Sequence, residues 1–72
     1  MSKEVNLKSF GNRVKELRTE RKLTQSQLAE MIGLSTNFIG MIERGERNTA
    51  IDKVFKLAKA FNIPLSKFFE TL

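Results

Sequence analysis

Apolar residues recur along this chain three and four positions apart, which is the spacing of amphipathic helices. The clearest case is the stretch from Thr24 to Arg44, where two short apolar faces are separated by a turn. The first face consists of Leu28, Met31 and Ile32, and the second of Phe38, Ile39 and Ile42. The pattern therefore predicts two helices of about two turns each, joined by a tight connection.

Capping residues mark the ends of both helices. Thr24 is a candidate N-cap because its hydroxyl can accept a hydrogen bond from a free N–H of the first turn, and Gln27 completes a capping box. Gly33 stands where a left-handed residue ends a helix, Ser35 is a second candidate cap, and Gly45 closes the second helix. Helix, short turn and helix make a helix-turn-helix, whose second helix enters the DNA major groove.

The exposed side of that second helix suits base reading, which falls to its N-terminal residues. The pattern leaves five short or uncharged residues there: Ser35, Thr36, Asn37, Gly40 and Met41. The alternative is a helical hairpin that only packs, and the pattern alone does not separate the two.

Further helices are predicted on both sides of this pair. An apolar face over residues 10–18 predicts a helix from about Ser9 to Arg21, with Ser9 as candidate cap, behind a mobile arm at residues 1–7. Residues 45–50 read as a loop, in which Asn48 or Thr49 caps the next helix. That helix has the apolar stripe Ile51, Val54, Phe55, Ala58 and Phe61, with Leu57 on its flank. Asn62 ends it, and Pro64 opens a short last helix.

One arginine falls on an apolar helix face. Arg18 lies beside Val14 and Leu17, where an unpaired charge would be costly. Glu43 lies in the same way beside the apolar stripe of the second helix of the pair. We therefore predict an Arg18–Glu43 ion pair that fixes the orientation of these helices, since a buried pair often adds little net stability.

The C-terminal end has more apolar residues than one small core needs. Large exposed apolar patches usually mark an interface, so we predict a two-fold dimer contact there. Its residues would be Ile63, Leu65, Phe68, Phe69 and Leu72. The alternative is that all of them seal the core.

Charge is distributed unevenly along the 72 residues, whose formal net charge is +5. Residues 1–22 carry seven Lys or Arg against three Glu, a net +4, whereas residues 23–44 carry one Arg against two Glu, a net −1. Flanking cations can hold phosphates while uncharged polar groups read bases, so this division fits DNA binding. A basic surface that serves only solubility is the alternative.

The composition excludes several other functions. The chain has no Cys and no His, so it lacks the usual general base, thiol nucleophile and zinc ligands. We therefore expect one domain with no enzymatic activity, no cofactor and no metal. No apolar run reaches the roughly 20 residues that span a bilayer, and the first ten residues lack the apolar core of a signal peptide. A cytoplasmic protein without membrane contact is expected.

Four segments together resemble the Xre/Cro-type helix-turn-helix family of phage repressors. They are FGNRVKELR at 10–18, LTQSQLAE at 23–30, IGLS at 32–35 and IGMIERGER at 39–47. Within residues 9–70, the small size, the IERGERN loop and the aromatic C-terminal end most resemble controller proteins of restriction–modification systems. Stand-alone phage or host repressors and antitoxin-type regulators share much of the pattern. The resemblance implies an all-α, compact five-helix phage-repressor-like domain that dimerises on a near-palindromic double-stranded DNA operator.

The resemblance also implies roles for individual residues. Base contacts are expected from Thr36, Asn37, Met41 and Arg47, and phosphate contacts from Gln25, Ser35, Arg44, Asn48 and Arg13. At Gly40 and Met41 the chain departs from the polar residues common in the family, so we expect fewer direct hydrogen bonds there, with Met41 touching a thymine methyl.

Regulation would follow protein concentration, because the chain has no room for a ligand domain. Glu30, Glu43 or Glu46 is a candidate contact for RNA polymerase, and nothing in the sequence singles one out. Two rival functions stay open: a helical module that binds an acidic protein, and an RNA-associated factor of the same fold. Activation and repression are not distinguished by the sequence.

Overall fold

Five α-helices make up the part of the chain that the structure, a computed structural model, describes, which is residues 6–70 and residue 72. In chain order they are α1 (Leu7–Glu20), α2 (Gln25–Ile32), α3 (Thr36–Glu43), α4 (Ile51–Phe61) and α5 (Leu65–Phe68). The predicted all-helical class and the helix count are confirmed. The main packing contacts of α3 are with α1 and α2, and α4 packs against α2.

The predicted caps of the central helix pair are confirmed. Thr24 Oγ1 accepts a hydrogen bond from Gln27 N at 3.0 Å, and Thr24 N donates to Gln27 Oε1 at 2.8 Å. Gly33 ends α2 with a φ of 73°, and Ser35 Oγ accepts from Phe38 N at 3.0 Å. These local hydrogen bonds set the turn and hence the start of α3.

Two other cap predictions are wrong. Asn6, not Ser9, caps α1, because its Oδ1 accepts from Ser9 N at 2.8 Å and the helix begins at Leu7. Residues 1–5 of the predicted arm lie outside the described residues. No side chain caps α4, which follows Ala50. Asn48 Oδ1 instead accepts from Thr49 N at 2.9 Å.

One hydrophobic core lies between the helices. The α4 stripe was predicted with the wrong rotation, because Leu57 is fully buried whereas Ile51 and Phe55 are 65% and 54% exposed. Val54, Leu57, Ala58 and Phe61 form the buried face of α4, at i, i+3, i+4 and i+7. The full core consists of Phe10, Val14, Leu17, Leu28, Ala29, Ile32, Ile39, Ile42, Val54, Leu57, Ala58, Phe61 and Phe68.

Phe68 belongs to this core, so its assignment to a dimer surface is wrong. Its side chain has no accessible surface, and its ring lies 5.7 Å from that of Phe10 and 6.2 Å from that of Phe61. The neighbouring apolar residues are only partly buried against the core. They are Ile63, Leu65, Phe69 and Leu72.

Helix α1 touches the backbone of α3 directly at Gly11. A Cβ atom at this position would lie 2.2 Å from Ile42 O and 2.7 Å from Glu43 O. Only glycine permits so close an approach, which fixes the C-terminal end of α3 against α1.

Among residues 6–70 and 72, no helix combines the length and the apolar character needed to cross a bilayer.

Candidate nucleic-acid interface

The N-termini of α2 and α3 lie side by side on one face. Ser26 Oγ and Thr36 Oγ1 are 3.1 Å apart, and both residues are exposed. Helix N-termini carry N–H groups without helical partners and the positive end of the helix dipole. Two of them together make a surface that favours phosphate groups.

The outer face of α3 runs from its first turn to its last. Ser35, Thr36 and Asn37 are exposed at its start, as predicted, and Met41 is half-buried. Gly40 was predicted to be exposed, but it is buried. The reason is that the Arg44 side chain crosses it, with Nη1 3.0 Å from the position that a Cβ of Gly40 would occupy.

Arg44 is held by an ion pair. Its Nε lies 3.1 Å from Glu46 Oε2, and each side chain is 55% exposed. The hydrogen bond to Glu46 and the negative charge of that carboxylate raise the pKa of the Arg44 guanidinium. The arginine is therefore a charged group on the outer face of α3, paired with Glu46.

Arg47 also lies against α3. Its guanidinium carbon is 5.1 Å from the centre of the Phe38 ring, within the range of a cation–π contact. Phe38 is a half-buried residue of the first turn of α3. Arg47 and Asn48 are both exposed, so the loop after α3 presents them beside the helix.

The predicted Arg18–Glu43 pair is confirmed. Arg18 Nε and Nη2 lie 2.6 and 3.1 Å from the two carboxylate oxygens, and Arg18 Nη1 donates to Leu23 O at 2.6 Å. Gln25 Nε2 donates to Glu43 Oε1 at 3.0 Å. The ion pair thus joins α1 to the end of α3, and the hydrogen bond from Gln25 joins the start of α2 to the same carboxylate. The Gln25 contact was not predicted.

Arg13 is not available to DNA, so its predicted phosphate contact is wrong. The residue is 8% exposed. Its Nε donates to Phe68 O at 2.8 Å and its Nη2 to Lys67 O at 2.9 Å. These carbonyls lie at the end of α5, where no further helical turn follows to supply N–H donors, so the arginine binds them instead. The buried Glu43 is likewise excluded as a contact for a polymerase.

The structure therefore brings most of the predicted site residues to one face. Two members were missed by sequence reasoning, namely Ser26 and Glu46. Ser26 lies on the first turn of α2, and the helix-turn-helix pattern itself was the signal that could have found it. The predicted residues that lie on or beside this face are Gln25, Ser35, Thr36, Asn37, Arg44, Arg47 and Asn48.

A second surface, formed by α4 with the start of α1, is apolar. Ile51 and Phe55 lie one turn apart on α4 and are largely exposed, and Leu7 is 38% exposed. A shallow groove next to Leu7 is lined also by Val54 and Phe69. The groove is lined also by Asn48 and Thr49, so polar residues border these apolar side chains.

A family model and several relatives match this chain. The model described as Helix-turn-helix matches residues 14–68. Control protein C.SmaI of Serratia marcescens is 43% identical over 54 residues, which is 75% of this chain and 64% of that protein. The immunity repressor protein of Bacillus phage phi105 is 43% identical over 58 residues, covering 81% of this chain and 40% of the repressor. The chain spans between 31% and 64% of the length of the curated relatives it matches.

Solved structures of controller proteins have the same fold. The restriction–modification controller protein C.AhdI from Aeromonas hydrophila matches with a TM-score of 0.78 and 41% identity, over 82% of this chain and 89% of that one. The controller protein C.Esp1396I, solved as a tetramer in complex with its natural 35 base-pair operator, matches with a TM-score of 0.83 and 29% identity. That match covers 94% of this chain and 90% of the other.

Proposed function

This chain belongs to the Xre-type helix-turn-helix family, and on that premise we propose that it is a sequence-specific DNA-binding transcriptional regulator. The observation that carries the proposal is the pairing of the exposed first turn of α3 with the N-terminus of α2 on one face. Such a face can bind phosphates at the helix ends and base edges between them. The regulator acts by binding and not by catalysis.

The regulator is proposed to be the controller protein of a restriction–modification system. C.SmaI and C.AhdI, whose sequences are 43% and 41% identical to this one over the matched regions, are described as control and controller proteins. C.Esp1396I occupies its operator as a tetramer. We propose by analogy that this chain binds near-palindromic duplex DNA upstream of its own gene and the endonuclease gene. A stand-alone phage or host repressor is the alternative within the family.

Most residues of the interface have a proposed role in DNA contact. Thr36 and Asn37, on the first turn of α3, read base edges. Met41 is half-buried, so it contributes at most an apolar contact to a thymine methyl. Arg47, held over Phe38, reaches a base or a phosphate. The proposed phosphate contacts are Gln25, Ser35, Arg44 and Asn48.

A homodimer is proposed to present two copies of this interface. The apolar surface of Ile51, Phe55 and Leu7 supplies the contact, together with the partly buried Phe69 and residues beside it. Burying exposed apolar side chains of this size is favourable by about 25 cal/mol per Å². A two-fold dimer would place its two α3 helices in half-sites about one helical turn of DNA apart.

The proposed place of action is the cytoplasm, where a regulator of a bacterial promoter meets DNA and RNA polymerase. Among the glutamates considered for a polymerase contact, Glu30 is exposed on the outer face of α2, whereas Glu46 is paired with Arg44. We propose Glu30 as the first one to test.

Selection of bound sequences from a randomised duplex pool at about 0.15 M salt tests the proposal. We expect a near-palindrome with half-sites about 10 base pairs apart. Two such sites in tandem would favour the controller function over a stand-alone repressor. An unenriched pool would contradict sequence-specific binding and would favour the helical protein-interaction module, whereas preference for RNA would favour the RNA-associated factor.

A further inference from the structure

Glu46 is the carboxylate that pairs with Arg44 on the outer face of α3. It follows Gly45, whose φ of 74° turns the chain out of α3. Its backbone N–H donates to Met41 O at 2.9 Å, which completes the C-terminal cap of α3. The backbone of Glu46 is therefore fixed to the recognition helix, and its carboxylate lies within reach of the outer face.

The Glu46 carboxylate directs the Arg44 side chain across α3. Arg44 Nε is 3.1 Å from Glu46 Oε2, while Arg44 Nη1 reaches over Gly40. The Gln25 side chain reaches the same spot from α2, with Oε1 3.6 Å from the position of a Gly40 Cβ. Glu46 and Gly40 thus place the guanidinium beside the N-terminus of α2, between the two elements that would face DNA.

The stability of the fold does not explain this pair. Both side chains are more than half exposed, and ion pairs of this kind contribute little to stability. A carboxylate beside a DNA-facing arginine is also unfavourable for affinity, because binding to arbitrary DNA rests on the attraction between cations and phosphates. A role in discriminating between DNA sequences accounts for an exposed ion pair that adds little stability and lowers the affinity for arbitrary DNA.

We propose that Glu46 is a positioning residue for Arg44 and a determinant of specificity, an inference that rests on the proposed DNA-binding function. In the free protein Glu46 neutralises Arg44 and holds it across Gly40. Arbitrary DNA must compete with the carboxylate for this cation, which weakens non-specific binding. At an operator, base contacts by α3 place a phosphate at the held guanidinium, and Arg44 exchanges Glu46 for that phosphate.

Glu46→Gln tests this inference with duplex DNA of random sequence as the probe. The amide keeps the shape of the side chain and removes the charge, so the unfolding transition should stay unchanged. With Arg44 released, we expect tighter binding to random duplex and a plot of log affinity against log salt that is steeper by about 0.9. The ratio of Glu46→Gln affinity to wild-type affinity for random duplex should then be about 3.5-fold higher at 50 mM salt than at 200 mM salt.

Two control variants separate the pair from general charge. Glu30→Gln removes one negative charge from α2, where Glu30 is exposed and is not the carboxylate paired with Arg44. It should leave the salt slope unchanged, and a slope change equal to that of Glu46→Gln would overturn the inference. In an Arg44→Gln background, Glu46→Gln should have no further effect on random duplex. A persisting effect would show that Glu46 acts on DNA without Arg44, which also overturns the inference.

The effect of Glu46→Gln on specificity can be distinguished from a failure of the proposed DNA-binding function. If wild-type protein selects an operator, Glu46→Gln should lower the ratio of operator affinity to random-duplex affinity. An unchanged ratio and slope would refute the role of Glu46 while leaving the regulator intact. If wild-type protein binds duplex DNA with no sequence preference, the proposed function and the inference fall together.

Discussion

Replacement of Gly11 by alanine sets two opposite effects against each other. In the interior of a helix, alanine is favoured over glycine by about 1 kcal/mol, so α1 considered alone would gain stability. In the folded protein, however, the new Cβ would lie 2.2 Å from Ile42 O and 2.7 Å from Glu43 O. These are backbone atoms at the end of α3, and no side-chain rotation can move them away.

The steric cost should exceed the gain in helix propensity. Relief of the clash requires α1 and α3 to separate by about 1 Å, and overpacking of this kind costs about 1–3 kcal/mol or more. Because the contact is with backbone, we take the upper end, which leaves a net loss of about 2 kcal/mol. A 72-residue domain has a total stability of about 4–11 kcal/mol, so this loss is a large fraction.

Gly40→Ala is the matched control, because Gly40 is also inside a helix and also buried. Its Cβ would meet only the ends of the Arg44 and Gln25 side chains, at 3.0 and 3.6 Å, and these can move. We expect Gly40→Ala to be neutral or up to about 1 kcal/mol more stable than wild type.

Urea unfolding followed by circular dichroism at the helix band measures both variants. The midpoint should fall for Gly11→Ala and stay or rise for Gly40→Ala, with the slope unchanged. If Gly11→Ala unfolds at the same urea concentration as wild type or at a higher one, the close approach of α1 to α3 is not a constraint and the reasoning is refuted.

Three further predictions concern the ion pair, the loop and the apolar surface. Glu43→Ala should cost about 3–5 kcal/mol of stability in urea unfolding, because it leaves Arg18 partly buried without its carboxylate, and a loss below 1 kcal/mol would mean that the pair is unimportant. Arg47→Ala should flatten the salt dependence of DNA binding by about 0.9 if the guanidinium contacts a phosphate, and an unchanged slope would reassign it to base reading. Phe55→Lys should convert dimers to monomers in sedimentation at tens of micromolar while the fold stays intact, and a persisting dimer would place the contact elsewhere.

The helix caps and the turn between α2 and α3 were the features easiest to predict from the sequence. The Thr24 and Gln27 capping box, the Gly33 turn and the Ser35 cap depend on residues within three or four positions of one another, so the sequence contains all the partners. Arg18 and Glu43 are 25 positions apart, yet the pair could be predicted because an arginine on an apolar face has few alternatives to a carboxylate.

The rotation of a helix was harder to predict than its existence. Ile51 and Phe55 fit an apolar stripe as well as Leu57 does, and only packing against α2 and α5 decides which of them faces the core. The same limit applies to Phe68, which could not be assigned to core or surface before α5 was placed. Two of the most exposed apolar residues, Ile51 and Phe55, are thus on α4, whereas Phe68 of α5 is buried.

Charged groups that bind backbone could not be told from groups that bind phosphate. Arg13 has the cationic side chain typical of a DNA contact, but its partners are the carbonyls of Lys67 and Phe68, more than 50 positions further along the chain. Gly40 was likewise expected to be exposed, because it lies off the apolar face of α3, and nothing in the pattern showed that Arg44 would cover it.

Sequence-specific binding depends on whether the first turn of α3 reads DNA bases. Selection from a randomised duplex pool, performed in parallel with wild-type protein and with Asn37→Ala, tests it most directly. We expect the wild-type motif to be a near-palindrome, and we expect Asn37→Ala to lose preference at one symmetry-related position in each half-site. The corresponding loss in affinity for the wild-type sequence is about 1–3 kcal/mol. An identical motif from both proteins, or no motif from the wild type, would contradict base reading by the first turn of α3.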